Sequence, residues 1–359
     1  MPKDIEIRQL GVAERDDLLV FLHAAYPDEP RKRDPEFWTW HFPENPYARP
    51  NDLPVWVATS GGRIVGQLAT IPVEINIRGE SVPAIWILDL IVDPQFRRRG
   101  IMKNLVLEAE KSYPFMLGVS TSAQHSPAML KGLGWGNFTE IPRYHKLLFP
   151  GDALPQTPGF RSLRSTINLA FAAFRPNLKG IEHENENVAV VEDFDSSFDT
   201  FWDEVRVQWD CSISRPAASL KWQFCRQPNK KFDIITYREN GKLLGYAVLF
   251  FRKATAAGSI PKAAISDICY HPENPRKIVD ALLRAALALA VERRAGGLVA
   301  DALDPLLEER LRHSGFWRVK SGLIFMANGP REREVLYDPK NWLLTRGDSD
   351  ISIFEEPNL

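Results

Sequence analysis

The segment from Ile85 to Ala109 constrains the fold more than any other part of this 359-residue chain. Ile85–Val92 is an apolar run that ends at Asp-Pro, a pattern that predicts a buried strand followed by a turn. Three arginines and a glycine come next, and Ile101, Leu105 and Ala109 then recur at helical spacing. We therefore predict a strand, a basic loop and a helix in direct succession.

The predicted loop has the chemistry of an anion-binding site. The first turn of a helix leaves backbone N–H groups unpaired, and the helix dipole adds partial positive charge there. Glycine lets a ligand approach the backbone closely because it has no Cβ. A phosphate or pyrophosphate is therefore expected on this loop, and a solvated basic turn is the alternative. The residues of the predicted site are Arg97, Arg98, Arg99, Gly100, Ile101 and Met102.

The same segment resembles the acyl-CoA-binding segment of the GNAT (Gcn5-related N-acetyltransferase) superfamily, whose pattern is Arg/Gln-x-x-Gly-x-Gly/Ala. Arg97, Gly100 and Met102 fall on the three defined positions, and Met102 replaces the usual small residue. The resemblance implies an N-acyltransferase, most simply an acetyltransferase, with acetyl-CoA or another acyl-CoA as co-substrate. It also implies strand groups that hold the pantetheine arm and the acyl carbonyl, here Leu90, Ile91 and Val92.

A weak internal repeat covers most of the chain. Four pairs of residues recur in the same order at nearly constant spacing, which indicates a duplicated domain. The pairs are Trp40 with Trp222, Gly66 with Gly245, Asp89 with Asp267, and Gly134 with Gly315, separated by 182, 179, 178 and 181 residues. The second copy lacks the loop glycine, and Arg276 and Lys277 are the only cations placed to meet a phosphate there. It is expected to be degenerate, with a second active site as the minor alternative.

Together these features predict an α/β (α+β) protein made of two tandem GNAT-like domains. Each domain is expected to be a mixed, mostly antiparallel, twisted sheet flanked by helices. The predicted parts are an N-terminal GNAT domain with the acyl-CoA site at 1–150, a linker with an amphipathic helix at 151–185, a degenerate GNAT-like domain at 186–330, and a tail at 331–359 that packs back on a domain.

Acyl transfer to an amine needs a group that takes the amine proton. Asp89 lies within the apolar strand, and burial of a carboxylate raises its pKa, which suits a base. Its counterpart Asp267 lies in the degenerate copy, which favours a structural role instead. His125 follows the next predicted strand and has an ordinary pKa suited to acid or base work, although a loop histidine is usually just solvated.

Two further features bear on the reaction. GNAT enzymes often carry a tyrosine four residues before the Gly-aromatic pair of their last helix, as the acid for the leaving thiolate, but that position here is Leu130. An aromatic cluster at 37–42 is either a wedge in the core, the favoured interpretation, or a wall of the acceptor pocket. In the second case Trp38, Trp40 and His41 would contact the substrate.

Composition excludes several classes of protein. The net charge of −1 argues against a nucleic-acid-binding protein with a general basic field. The three cysteines show no metal spacing and are expected to be buried thiols, and no metal is predicted. No apolar run is long enough to span a membrane and no signal sequence is evident, so a cytoplasmic protein is expected.

Two functions remain open from the sequence. The preferred one is an acyl-CoA-dependent N-acyltransferase that acts on a small-molecule or peptidyl amine. The alternative is a non-catalytic CoA-binding or scaffolding protein, favoured by the missing tyrosine and the degenerate copy. An aminoacyl transferase that uses charged tRNA is disfavoured by the lack of basic charge. The acceptor, the acyl length and the oligomeric state are not specified by the sequence.

Overall fold

The computed structural model of the protein describes residues 4–27, 34–49, 53–120, 126–154, 157–173, 186–252, 262–330 and 333–349. Within these ranges, sixteen strands join in one mixed sheet, and helices pack against it. The predicted class, a mixed α/β fold with a sheet flanked by helices, is confirmed. No helix in the described part of the chain is long and apolar enough to cross a membrane.

The first half contains seven strands and four helices among its described residues. They are β1 (Ile5–Gln9), α1 (Arg15–Ala25), α2 (Pro35–His41), β2 (Val55–Ser60), β3 (Arg63–Ile77), β4 (Glu80–Val92), α3 (Ile101–Ser112), β5 (Met116–Ser120), α4 (Ser126–Gly132), β6 (Gly136–Glu140) and β7 (Arg143–Leu147). The predicted strand, loop and helix around residue 97 are thus present as β4, a turn and α3. Strand β6 was not predicted, because Phe138 is its only large apolar residue.

The second half follows a similar order. Its described elements are α5 (Arg161–Ala173), β8 (Val188–Val191), α6 (Ser197–Val205), β9 (Cys211–Ile213), α7 (Ala217–Leu220), β10 (Phe232–Glu239), β11 (Lys242–Arg252), β12 (Lys262–Tyr270), α8 (Pro275–Glu292), β13 (Gly297–Leu303), α9 (Pro305–His313), β14 (Trp317–Val319), β15 (Ile324–Asn328) and β16 (Trp342–Thr345). A π-helical turn, Lys221–Cys225, extends α7.

Helices α4 and α9 end in the same way. Gly134 and Gly315 both have positive φ angles, 94° and 80°, which only glycine adopts easily. The next residue then turns back in each case: the Trp135 N–H donates to Leu130 O at 3.2 Å, and the Phe316 N–H donates to the carbonyl of Leu311 at 3.0 Å. The two halves therefore repeat this helix end in detail.

The last strand of each half lies in the sheet of the other half. Strand β15 runs between β5 and β6, with Ile324 opposite Ser120. Strand β7 runs between β13 and β14, with Leu147 opposite Gly297. Both insertions are antiparallel. This reciprocal exchange joins the halves into one continuous hydrogen-bonded sheet.

Two tryptophans mark the centre of the contact between the halves. The rings of Trp40 and Trp222 stack with centroids 4.9 Å apart and planes within 11°. Each indole N–H donates to the backbone carbonyl of the other residue, at 2.8 Å from Trp40 and 2.7 Å from Trp222. Such reciprocity is what a local two-fold relation between equivalent segments produces.

The C-terminal strand β16 fills the middle of the molecule. It pairs with β13 through Leu344 and Leu303, and in parallel with β9 through Trp342 and Cys211. Of the three cysteines expected to be buried, Cys211 and Cys269 are, whereas Cys225 is exposed. The expectation is wrong for Cys225 because it lies in the π-helical turn at the surface.

Candidate functional site

The loop before α3 has the backbone geometry of an anion site. Gly100 is the N-cap of the helix, with a φ angle of 78° and no side-chain cap, and Arg98 is also left-handed at 63°. The first N–H groups of α3 therefore face away from the helix without a capping side chain. A Cβ at Gly100 would meet only the side chain of Asn104, at 3.7 Å, so the space beside the loop is open.

Three arginines, Arg97, Arg98 and Arg99, directly precede Gly100 in this loop. All are exposed. The Arg97 Nε donates to the carbonyl of Val92 at 3.2 Å, which anchors that side chain at the end of β4. Arg99 donates to the carbonyl of Gln95 and lies 4.9 Å from the centroid of the Phe96 ring. The loop thus combines fixed backbone donors with positively charged side chains at a helix N-terminus.

Next to the loop, β4 parts from its parallel neighbour β5. Their pairing runs from Ile85 opposite Met116 to Ile87 opposite Gly118. On its other edge β4 stays paired with β3 to Val92. Leu90, Ile91 and Val92 therefore lie past the point at which the β4–β5 ladder ends. An extended ligand entering from the loop would meet the free edge of β4 here.

A β-bulge interrupts β4 just before these residues. Gln67 is opposite Ile91 and Ala69 is opposite Leu88, so β4 has one residue more than β3 between these pairs. Asp89 has a φ angle of 46°. The bulge breaks the strand's period of two, and both Leu88 and Asp89 line one cavity.

This cavity, called here the bulge cavity, lies between α1, α2 and the sheet and has a volume of about 30 Å³. Its walls are mainly apolar, and the predicted Trp38, His41 and Asp89 all belong to it. The full lining is Leu18, Leu22, Phe37, Trp38, His41, Phe42, Val55, Gln67, Ala69, Leu88 and Asp89. The structure therefore brings a predicted base and two predicted substrate-binding residues together.

The other predicted residues lie elsewhere. Trp40 is 1% exposed and packs on Trp222 outside the lining of the bulge cavity. His125 lies outside the described residues. Leu130, at the position of the usual tyrosine, is 1% exposed and belongs to the core beneath α3. Since leucine has no exchangeable proton, the residue at that position cannot protonate a leaving thiolate.

Two polar residues that sequence reasoning missed contact Asp89. The Tyr26 hydroxyl donates to Asp89 Oδ1 at 3.4 Å, from the end of α1. Gln67 Nε2 donates to the Asp89 carbonyl at 3.4 Å across the bulge. Neither has a sequence signal, because both are brought to the site by tertiary packing.

The corresponding loop of the second half is built differently. Asn274, with a φ angle of 55°, is the N-cap of α8, and Pro275 follows it. Both nearby cations are engaged: Arg276 pairs with Glu309 at 3.1 Å, and Lys277 pairs with Glu239 at 2.8 Å. An anion on this loop would have to compete with two carboxylates.

Comparison with known proteins agrees with this geometry. Residues 6–137 match the family described as "Acetyltransferase (GNAT) domain". The match covers 132 of the 359 residues, and this part of the chain is similar to the GNAT superfamily. The loop, the open β4 edge and the bulge cavity all fall inside the GNAT match, and the predicted enzyme class, an N-acyltransferase of the GNAT type, is confirmed at the level of this domain family.

Solved structures extend the likeness of fold beyond the GNAT match. Saccharomyces cerevisiae N-myristoyltransferase with bound myristoyl-CoA has a TM-score of 0.55 and 13% identity, over 91% of this chain and 83% of that chain. An Enterococcus faecalis V583 protein described as "Probable N-Acyltransferase" has a TM-score of 0.58 and 14% identity, over 90% of this chain and 71% of the other. At such identity the likeness concerns the fold. No curated protein sequence matches this chain.

Proposed function

We propose that the protein is an acetyl-CoA-dependent N-acetyltransferase acting on an amine, with its active centre at the bulge of β4. The observation that carries the proposal is the conjunction of the open β4 edge with a helix N-terminus built as an anion site. The GNAT match covers both. A phosphate site beside an open strand edge suits a ligand with a pyrophosphate and an extended amide-containing arm, as in CoA.

In this proposal the chain holds CoA by two kinds of contact. The backbone N–H groups of Gly100, Ile101 and Met102 face the pyrophosphate, and the arginine side chains add charge. Backbone groups of Leu90–Val92 bind the pantetheine arm and the acyl carbonyl. A strand N–H aimed at that carbonyl stabilises the oxyanion that develops during acyl transfer. The acyl-CoA supplies the thioester.

Proton removal is assigned to Asp89. The amine nitrogen attacks the thioester carbon and a C–N bond forms. The nitrogen then gives its proton to the Asp89 carboxylate. The C–S bond then breaks, and the thiolate leaves and is protonated from solvent, because Leu130 supplies no acid. Tyr26 and Gln67 hold Asp89 in place from two sides. His125 stays a predicted second acid or base.

The size of the bulge cavity favours a short acyl group. About 30 Å³ accommodates roughly two water-sized groups, since one needs about 10–15 Å³. A space of this size admits the short methyl end of an acetyl group, whereas a long alkyl chain does not fit. Trp38 and His41 are proposed to contact the acceptor there.

Binding of acetyl-CoA to a Gly100→Asp variant tests the CoA site. The aspartate places a side chain and a negative charge where the pyrophosphate is expected, so affinity measured by calorimetry should fall at least about 100-fold. Gly241→Asp is the matched control, because Gly241 also has a positive φ angle, 81°, with nothing close to its Cβ position. The control should bind acetyl-CoA with one site per chain, like the original protein.

The same titration separates the outcomes. An equal loss of acetyl-CoA affinity in both variants would contradict the CoA site, and so would the absence of acetyl-CoA binding by the folded original protein. Two sites per chain would show that the second half also binds. The buried Leu130 gives some support to the alternative, a non-catalytic CoA-binding protein. That alternative predicts saturable binding without release of free thiol when amines are added.

We further infer that the second half is a GNAT-like copy that no longer binds CoA. The repeated helix ends, the exchanged strands and the paired tryptophans support the duplication. The ion pairs of Arg276 and Lys277 support the loss of the phosphate site. The boundaries at 150, 185 and 330 and the cytoplasmic location stay predictions.

A further inference from the structure

A second cavity lies where the two halves meet. It is called here the junction cavity and is lined by strands β3 and β4, the segment after β9, the π-helical turn and the turn after β16. Its volume is about 30 Å³. The residues used below are Trp86, Ser214, Arg215, Asp267 and Asp348.

Polar atoms in the wall of this cavity have no hydrogen-bond partner among the described residues. They are the Trp86 indole N–H and the Ser214 hydroxyl. Trp86 and Ser214 are each 2% exposed. Buried donors and acceptors are rarely left unpaired, because the loss of water is then uncompensated. Two such groups around one cavity point to a polar occupant.

The charge around the cavity favours a cation. Arg215 contacts two carboxylates, Asp267 at 3.2 Å and Asp348 at 2.7 Å, so negative groups outnumber the positive one. All three side chains are at most 7% exposed, so water screens them little. Burial raises the pKa of Asp348 to about 6, which leaves it ionised above neutral pH.

We propose that the junction cavity binds the ammonium end of a compact primary amine that carries an oxygen on the neighbouring carbon. The ammonium donates to the hydroxyl of Ser214 beside Asp348, and the oxygen accepts from the Trp86 indole. This arrangement pairs every orphan group. An anion would meet the excess of carboxylates, and an alkylamine without oxygen would leave the indole unpaired.

The cavity is placed to anchor one end of the acceptor. Trp86 lines the junction cavity and Leu88 the bulge cavity. The two residues are two positions apart on the same face of β4, which is about 7 Å along the strand. An acceptor with an amino group at each end could occupy both. Naming the occupant as the acceptor rests on the proposed function, whereas the binding site itself does not.

Indole ¹H–¹⁵N spectra of the full-length protein test the site without CoA. At pH 7.5, ethanolamine should shift the Trp86 indole signal saturably. Ethylamine and glycolate should bind with at least about tenfold lower affinity, a factor that corresponds to the free energy of one hydrogen bond. The signal is assigned with Trp86→Phe, which keeps an aromatic ring. That variant and Ser214→Ala should each weaken ethanolamine binding, followed by calorimetry, about tenfold.

Trp135→Phe is the control, because its indole N–H is likewise buried and unpaired but lies in the core under α3. It should leave ethanolamine binding unchanged. Preference for glycolate, or no saturable shift because water alone fills the cavity, would overturn the proposal. Acetyl-CoA binding should be the same in all three variants. A failure of the junction cavity to bind ethanolamine is therefore distinguishable from a failure of the CoA site.

Discussion

At the scale of single residues, the candidate site depends on backbone conformations that ordinary side chains adopt at a cost. Gly100 supplies a left-handed N-cap to α3, and Asp89 occupies a bulge with a φ angle of 46°. Asp89 is not a glycine, so its conformation is held by the surrounding sheet and by its contacts with Tyr26 and Gln67. Such strain at a non-glycine residue is typical of functional positions.

Replacement of Asp89 tests its proposed role as the base. Asn retains an oxygen that can accept the hydrogen bond from Tyr26, so Asp89→Asn should fold and bind acetyl-CoA like the original. It cannot take a proton, so kcat with an amine acceptor should fall about 100- to 10,000-fold. Steady-state kinetics and acetyl-CoA calorimetry check both parts. An unchanged kcat would assign Asp89 the structural role and direct attention to His125.

At the scale of elements, α2 and the π-helical turn after α7 hold the halves together through paired indoles. Trp40 and Trp222 share a stack and two buried hydrogen bonds, each to a backbone carbonyl. The bonds satisfy carbonyls that would otherwise be buried without a donor. The aromatic cluster at 37–42 thus has two roles, since Trp40 joins the halves while Trp38 and His41 line the bulge cavity.

Trp40→Phe and Trp222→Phe should therefore destabilise the protein by similar amounts. Each change leaves one buried carbonyl without its donor, which costs about 1–3 kcal/mol of unfolding free energy. Trp135→Phe loses the same ring volume but no hydrogen bond, and it corrects for packing. Urea unfolding measures all three. If the control costs as much as the other two, the reciprocal hydrogen bonds contribute nothing.

At the scale of the whole molecule, the exchange of β7 and β15 makes the halves interdependent. If the halves were separated, the first half would lose β15 and expose the edges of β5 and β6. The second half would lose β7 from between β13 and β14. Unpaired edges of this kind are poorly tolerated in water. The sequence repeat predicts two units but contains no sign that their last strands change places.

Residues 1–150 expressed alone should consequently fail to fold. Circular dichroism and urea unfolding should show no cooperative transition for this fragment, whereas co-expression with residues 151–359 should restore a complex that binds acetyl-CoA. The intact chain should unfold in one transition by calorimetry. A monomeric fragment that unfolds cooperatively would show that the exchanged strands are dispensable.

Local chemistry makes the strand, the basic loop and the helix predictable from the sequence alone. Their hydrogen bonds, φ angles and charges involve residues near one another in the chain. The need for glycine at position 100, for example, comes from the left-handed N-cap of the helix that begins there. The period of apolar residues likewise places α3 within a few residues. The bulge at Asp89 escapes this reasoning, because a bulge depends on the register of two strands rather than on one.

The remaining features depend on residues that are distant in the chain. Trp86, Ser214 and Asp348 line one cavity although they are separated by more than a hundred residues each. The exchange of β7 with β15 likewise joins strands that are distant in the chain. In the alternative pairing each strand would stay in its own half, beside strand edges of the same kind. Sequence periodicity is identical in both pairings and does not select between them, so the choice is visible only in the folded chain.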